Sequence, residues 1–253
     1  MLQKIIVKCS FSGDQKVNYN WGLIMHGVLM EHLSESTAEA LHGNNPNSFS
    51  QFVIPMGDNS LEWHIGIWDD VLADEIIKAI TPLVNININH KDIVLDVLSV
   101  NRYAQNERDF LVSFFNDNKP CRNFKIEFVT PSSHRSGGEY VLFPSVKLIL
   151  QNLLMRFDTV SSEFSIEDEE TLLQLIDDTE IVRYSLRSAS YNVKGFSVAS
   201  YMGWIIINVK GSDQLARLVA LLISFAEYAG IGIKTSLGMG GCRITKMDYM
   251  NRK

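Results

Sequence analysis

Histidine is the side chain that moves protons near neutral pH, and this chain carries His26, His32, His42, His64, His90 and His134. The stretch "NWGLIMHGVLMEHLSES" (20–36) sets Trp21, Ile24, Met25, Val28 and Leu29 at helical spacing. His32 falls inside that apolar stripe and reads as a packed residue. His26 falls to its side, with Gly22 on the same face leaving room beside the ring. His42 falls in the last turn of "TAEALHG" (37–43), where the helix dipole favours imidazolium. A histidine base with a histidine acid is a general acid–base pair. The plain alternatives are an interface histidine at 26 and an ordinary helix-end histidine at 42. His64, in "LEWHIGIW", reads as a solvent-facing strand residue. His90 reads as a strand end or loop residue, and His134 shares a loop with Arg135. No H-E-x-x-H spacing and no nuclease-like acidic cluster is present, so no metal and no cofactor is expected.

The second chemical feature is "AGIGIKTSLGMGG" (229–241). Lys234-Thr235 follows Ile233 rather than a glycine, so the Walker A pattern fails. Gly230 and Gly232 start a dinucleotide fingerprint, but Thr235 occupies its third glycine. The order also fails, because the run follows a helix and precedes a strand. A helix C-terminus presents the wrong dipole end to an anion. The remaining logic is a clamp on a nucleic acid backbone. Glycine lets main-chain N–H groups approach phosphates, and Lys234, Thr235 and Ser236 add a cation and two hydroxyls. A flexible connection is the alternative.

Charge supports the polyanion reading. The net charge is −6, but residues 1–180 carry −13 and residues 181–253 carry +7. Arg183, Arg187 and Lys194 lie on predicted paired strands with Tyr184 and Tyr191, which could stack on bases. Cys9, Cys121 and Cys242 have no metal or redox spacing and read as reduced thiols. There is no bilayer-length apolar run and no secretory signal pattern, so a cytoplasmic protein is expected.

The elements that must hold these residues follow from periodicity. Strand patterns at "LQKIIVKCS", "SQFVIPM", "LEWHIGIWD" and "KDIVLDVLSV" alternate with helical ones at 20–36 and "DDVLADEIIKAI". That order is β-α-β-β-α-β, the ferredoxin-like plan. The second half repeats it with insertions. Its elements are "NFKIEFVTP", a helix behind Pro144, an acidic helix "IEDEETLLQLIDD", two paired strands, a helix capped by Ser212 or Asp213, and "CRITKMDYM". The expected class is α+β, with tandem ferredoxin-like (RRM-like) domains at 1–118 and 119–253, joined through "NDNKPCRN" (116–123).

"GIGIKTSLGMGGCRI" resembles the C-terminal G-x-G-x-x-x-x-x-G-x-G signature of the repeat-associated mysterious proteins of CRISPR systems, with Gly232, Gly238 and Gly240 at matching spacing. With "IMHGVLMEHLSES" and "ALHG", the chain resembles the CRISPR-associated endoribonuclease that processes precursor crRNA, the sixth Cas family, in its type III-A-like bacterial branch. The resemblance implies a metal-independent cut in repeat RNA by 2′-OH attack, leaving 2′,3′-cyclic phosphate and 5′-OH ends. It implies His26 and His42 as catalytic residues. RNA contacts are expected from Gly230, Gly232, Lys234, Thr235, Ser236, Gly238 and Gly240 of the run and from Arg183 and Arg187 of the paired strands. The family's usual lysine after the histidine is missing from "GNNPNSFSQF", which leaves the source of a phosphorane-stabilising cation open. The implied partner is CRISPR repeat RNA, with transient contact to a type III effector complex, as a monomer or homodimer. The rival is a non-catalytic RNA-binding subunit of such a complex.

Overall fold

The computed structural model describes residues 1–43, 48–57, 59–116, 119–159, 169–193 and 195–247, and the side chains of His42 and His90 lie outside this description. The first half runs β1 (Leu2–Ser10), α1 (Trp21–His32), α2 (Glu35–Gly43), β2 (Phe49–Pro55), β3 (Ser60–Ile67), α3 (Asp70–Ile80), β4 (Asn85–Ile88) and β5 (Ile93–Gln105). Its antiparallel sheet has the order β2-β3-β1-β5-β4. That is the ferredoxin-like arrangement with β4 added at one edge. Val7, Trp63, Ile65 and Leu95 from the strands and Met25, Leu29, Ile76 and Ile80 from α1 and α3 form its core.

After α4 (Glu107–Phe115), the second half runs β6 (Asn123–Ser132), β7 (His134–Ser136), β8 (Glu139–Val141), α5 (Val146–Asp158), α6 (Glu169–Asp177), β9 (Thr179–Val193), β10 (Phe196–Val209), α7 (Asp213–Ala229) and β11 (Cys242–Lys246). The sheet order β11-β6-β10-β9 repeats the first plan, and β7 pairs with β8 in a separate hairpin. Phe124, Ile126 and Ile205 pack here against Leu153, Phe157, Leu222 and Phe225. Between the halves, Tyr191, Val193, Val198 and Met239 gather Tyr19, Ile233 and Leu237 into a small third cluster.

Local structure departs from the expected elements at some points and decides between the expected alternatives at others. The helix expected over 20–36 breaks at Leu33, which is extended (φ −83°, ψ 160°). Ser34 causes the break by acting as the cap of α2: its hydroxyl accepts from Thr37 N at 3.3 Å and its carbonyl from Ala38 N at 2.9 Å. The break leaves His32 exposed, with Nδ1 on the Val28 carbonyl at 2.8 Å, and Leu33 takes the buried place instead. Ser145, not Pro144, caps α5, its hydroxyl accepting from Leu148 N at 3.2 Å. Of the two candidate caps of α7, Ser212 serves, accepting from Leu215 N at 3.2 Å. The strands β4, β7 and β8 and the helix α4 were not expected. Each is short, and α4 exists because Phe110, Leu111 and Phe114 bury against the second core.

Candidate active site

His26 projects from α1 toward the glycine run, and its Nδ1 lies 3.0 Å from the Ser236 carbonyl oxygen. A carbonyl only accepts, so Nδ1 carries the proton in this contact. The neutral ring then has its lone pair on Nε2. The ring also stacks parallel to Phe49 of β2, with centroids 6.3 Å apart and planes 2° apart. Ser236 lies in the short 3-10 turn Thr235–Leu237, which Lys234 enters with φ 55°.

A buried amide completes this junction. Gln51, on β2, donates through Nε2 to Ser236 O at 2.9 Å and to Gly22 O at 2.8 Å. Its Oε1 accepts from Trp63 Nε1 at 3.0 Å. Trp63 only donates and both carbonyls only accept, so just one orientation of the amide fits. Tyr191 of β9 donates to Leu237 O at 2.6 Å. Burial pushes its phenol pKa far up, which keeps that proton in place.

The room expected beside His26 at Gly22 is occupied. A Cβ on Gly22 would lie 2.7 Å from the Gly238 Cα and 2.9 Å from the Tyr191 hydroxyl. The missing side chain therefore admits the glycine run rather than a phosphate.

The run is a packed strut rather than an open loop. Gly230, Gly232, Gly238 and Gly240 are buried and have positive φ, from 69° to 105°. A Cβ on Gly232 would strike the Ser133 carbonyl. Gly232 N donates to Asn152 Oδ1 at 3.0 Å, Gly240 N to Pro131 O at 3.0 Å, and Gly230 N to Ala226 O at 2.8 Å. The donors expected to face a polyanion are thus turned inward on these glycines. Thr235 is buried as well, and Lys234 and Ser236 are half-buried.

Arg156 of α5 sits beneath the run, only 5% exposed. It donates to Ala229 O at 2.5 Å, Gly230 O at 3.4 Å and Gly232 O at 2.6 Å. Burial lowers its pKa to about 10, which leaves it charged at neutral pH. A guanidinium fork can meet several carbonyls at the end of α7, where the helix dipole is negative.

His42 ends α2 one residue before Gly43, and its side chain lies outside the described residues. Arg183 and Arg187 are exposed on β9, with Arg187 Nη2 3.8 Å from Met202 Sδ. Arg187 precedes Tyr191 by four residues on that strand, so about 13 Å separates it from the residue that touches Leu237. Tyr184 is exposed beside Phe143, at 5.4 Å between ring centroids. Lys194 lies outside the described residues.

Two other histidines are buried rather than surface-facing. His64 stacks on Phe52 at 4.7 Å and has Nε2 3.0 Å from Glu62 Oε2. The second half packs onto that face of the sheet, as the close approach of Gly66 to Tyr228 and of Phe52 to Gly241 shows. His134 is 3% exposed beside Tyr201. Among the described residues, no group of three His, Cys, Asp or Glu side chains has metal-holding geometry.

Sequence patterning missed Gln51, Arg156 and Asn152. Gln51 interrupts an apolar strand and Arg156 an apolar helix face, and a polar side chain inside a buried pattern was the available signal.

Two antiparallel sheets of ferredoxin-like order, joined through a glycine-rich strut, define a tandem ferredoxin-like α+β protein. The family model described as CRISPR-associated endoribonuclease Cas6 matches residues 126–242. The CRISPR-associated endoribonuclease Cas6 of Streptococcus thermophilus is 31% identical over 221 residues, covering 87% of this chain and 89% of that protein. The protein of the same description from Mycobacterium tuberculosis is 28% identical over 222 residues, covering 87% of this chain and 70% of that one. Among solved structures, a Cas6 product complex superposes with a TM-score of 0.79 at 18% identity, covering 97% of this chain and all of that one. Thermus thermophilus Cas6 superposes at 0.73 and 16% identity, covering 97% and 98%. The chain belongs to the CRISPR-associated endoribonuclease Cas6 family, and its activity is that of an endoribonuclease.

Proposed function

We propose that this endoribonuclease cuts the repeat segments of precursor crRNA, with His26 and His42 exchanging protons with the reacting oxygens. The ribose 2′-OH attacks the neighbouring phosphorus, the 5′-oxygen leaves, and the products are a 2′,3′-cyclic phosphate and a 5′-OH. No water and no metal enters the balance: one proton leaves the 2′-OH and one reaches the 5′-oxygen. The observation that carries this reading is the His26 Nδ1–Ser236 carbonyl contact, because it directs the reactive Nε2 lone pair away from the protein's own acceptor. Related Cas6 structures with a product and with a substrate mimic support repeat RNA as the ligand.

In this reading, Lys234, Ser236, Arg183 and Arg187 contact the RNA backbone, and Gly230, Gly232, Gly238 and Gly240, with the buried Thr235, shape the surface it meets. Residues 1–118 form the histidine-bearing domain and 119–253 the one carrying the glycine run. Action in the cytoplasm, in a type III-A-like system and with transient effector contact, as a monomer or homodimer, belongs to the same proposal. No helix among the described residues is long and apolar enough to cross a membrane.

The test is cleavage of the cognate repeat in EDTA, beside a substrate with a 2′-deoxy nucleotide at the cut. Cleavage of the first and not the second is expected. A requirement for Mg²⁺, or full activity in the His26→Ala, His42→Ala double variant, overturns the mechanism.

A further inference from the structure

We infer that Gln51 is a positioning residue for the reaction: it fixes the Ser236 carbonyl that holds His26 in its Nδ1–H tautomer. The inference rests on the assignment of His26 as catalytic. It adds a buried residue that touches neither substrate nor reacting atoms.

An isolated imidazole takes either tautomer, and a proton-transfer site needs one of them. Here the choice is made by Ser236 O, a main-chain atom in a turn at the far end of the chain from His26. A carbonyl in a three-residue turn can swing unless something holds it. Gln51 is fully buried and its Nε2 donates to that same oxygen. A carbonyl oxygen has two lone pairs, and here each has a donor, one from Gln51 and one from His26. The other Gln51 proton goes to Gly22 O, one helical turn before His26 on α1. One amide therefore ties the helix bearing the histidine to the carbonyl that orients it.

The amide cannot turn over. Trp63 Nε1 donates to its Oε1, so a flip would set two donors face to face at Trp63 and acceptor against acceptor at Gly22 and Ser236. Trp63 is itself fully buried. A buried polar group with every partner satisfied is rigid, and this one sits where rigidity selects a protonation site.

The experiment has two parts. The first is ¹⁵N NMR of the histidine rings in the whole protein, with His26 assigned from the His26→Gln spectrum. The expected result is neutral His26 protonated on Nδ1. Protonation on Nε2 overturns the inference without any Gln51 variant. The second part compares Gln51→Met with Gln51→Glu in single-turnover cleavage at saturating repeat RNA. Folded Gln51→Met is expected to mix the His26 tautomers and slow cleavage about tenfold, a fraction of what acid–base catalysis supplies, with RNA affinity held within about twofold. Gln51→Glu is expected to move the pH–rate profile, because it sets a titrating carboxyl beside the Ser236 carbonyl. A folded Gln51→Met with the wild-type tautomer and wild-type rate overturns the inference. If Gln51→Met does not fold, the wild-type tautomer and the Gln51→Glu profile decide, and an unmoved profile overturns it. Full activity of His26→Ala would instead sink the catalytic assignment, and the NMR result separates that failure from this one.

Discussion

Gly22 of α1 and Gly238 of the glycine run meet backbone to backbone, with 2.7 Å between the position of a Gly22 Cβ and the Gly238 Cα. Gly27, five residues further along the same helix, has nothing within 4 Å of its corresponding position. Two alanine substitutions on one helix should therefore act with opposite signs. Gly22→Ala is expected to destabilise by about 2–3 kcal/mol through forced separation of α1 from the run. Gly27→Ala is expected to stabilise by roughly 0.5–1 kcal/mol, since a helix favours alanine over glycine. Denaturant unfolding of both variants checks the pair. Equal shifts of the same sign would contradict the packing.

His26→Ala and His42→Ala are each expected to lower the single-turnover cleavage rate by about 10²–10⁴-fold, the usual worth of a proton-transfer group. RNA affinity should change little. A filter-binding titration beside the rate measurement separates a lost chemical step from a lost ligand.

Acid stability follows from two buried histidines. Burial holds the pKa of His64 down to about 4, against the opposing pull of Glu62, and it holds His134 at about 4 with help from the Arg156 charge. An unfolded histidine titrates near 6.5, so between those values the unfolded chain binds more protons than the folded one. Stability from these groups is complete above pH about 6.5 and is lost as pH falls toward 4, on the order of 1–3 kcal/mol for each. The variants His64→Gln and His134→Gln should flatten the pH dependence of the unfolding midpoint over that window. A slope unchanged in both would refute the assignment.

Arg156 holds three carbonyls of the strut. Arg156→Met should cost about 3 kcal/mol or more, since it leaves buried acceptors without donors. Arg156→Lys should recover only part of that, because one ammonium cannot reproduce a planar fork. Thermal midpoints of the two variants, with cleavage rates beside them, measure the difference.

The cations of β9 and of the glycine run make a different kind of prediction. Removing Arg183, Arg187 or Lys234 should weaken repeat RNA binding with little effect on folding. Each lost phosphate contact should reduce the slope of log K against log salt by about 0.7–0.9. A variant that binds more weakly with an unchanged slope has lost something other than a phosphate contact.

The ferredoxin-like strand plan of both halves was legible, β4 apart, because period-two apolar runs such as "LQKIIVKCS" and "NFKIEFVTP" bury one face and fix the register. The glycine run marked its family, while the inward bonding of its Gly230, Gly232 and Gly240 N–H groups was not legible. Glycines spaced for phosphate approach and glycines spaced for tight backbone packing look alike in sequence, and Ser133, Gly22 and Asn152 distinguish them only in three dimensions. His64 and His134 read as surface residues because their burial comes from the other half of the chain or from an unexpected hairpin. Gln51 acts through main-chain oxygens at Gly22 and Ser236, and main-chain partners have no residue type to read.

Arg156, Asn152 and Ser236 all belong to segments made well after α1, and N-terminal portions of a chain fold first during synthesis. The early half can acquire its own core while His26 still has no carbonyl to orient it. With His26 catalytic as proposed, competence to cut RNA arrives late in the making of each molecule, when the strut seats against α1. On the same proposal, a shortened product ending before residue 230 would carry His26 and His42 but lack the Ser236 carbonyl that orients His26.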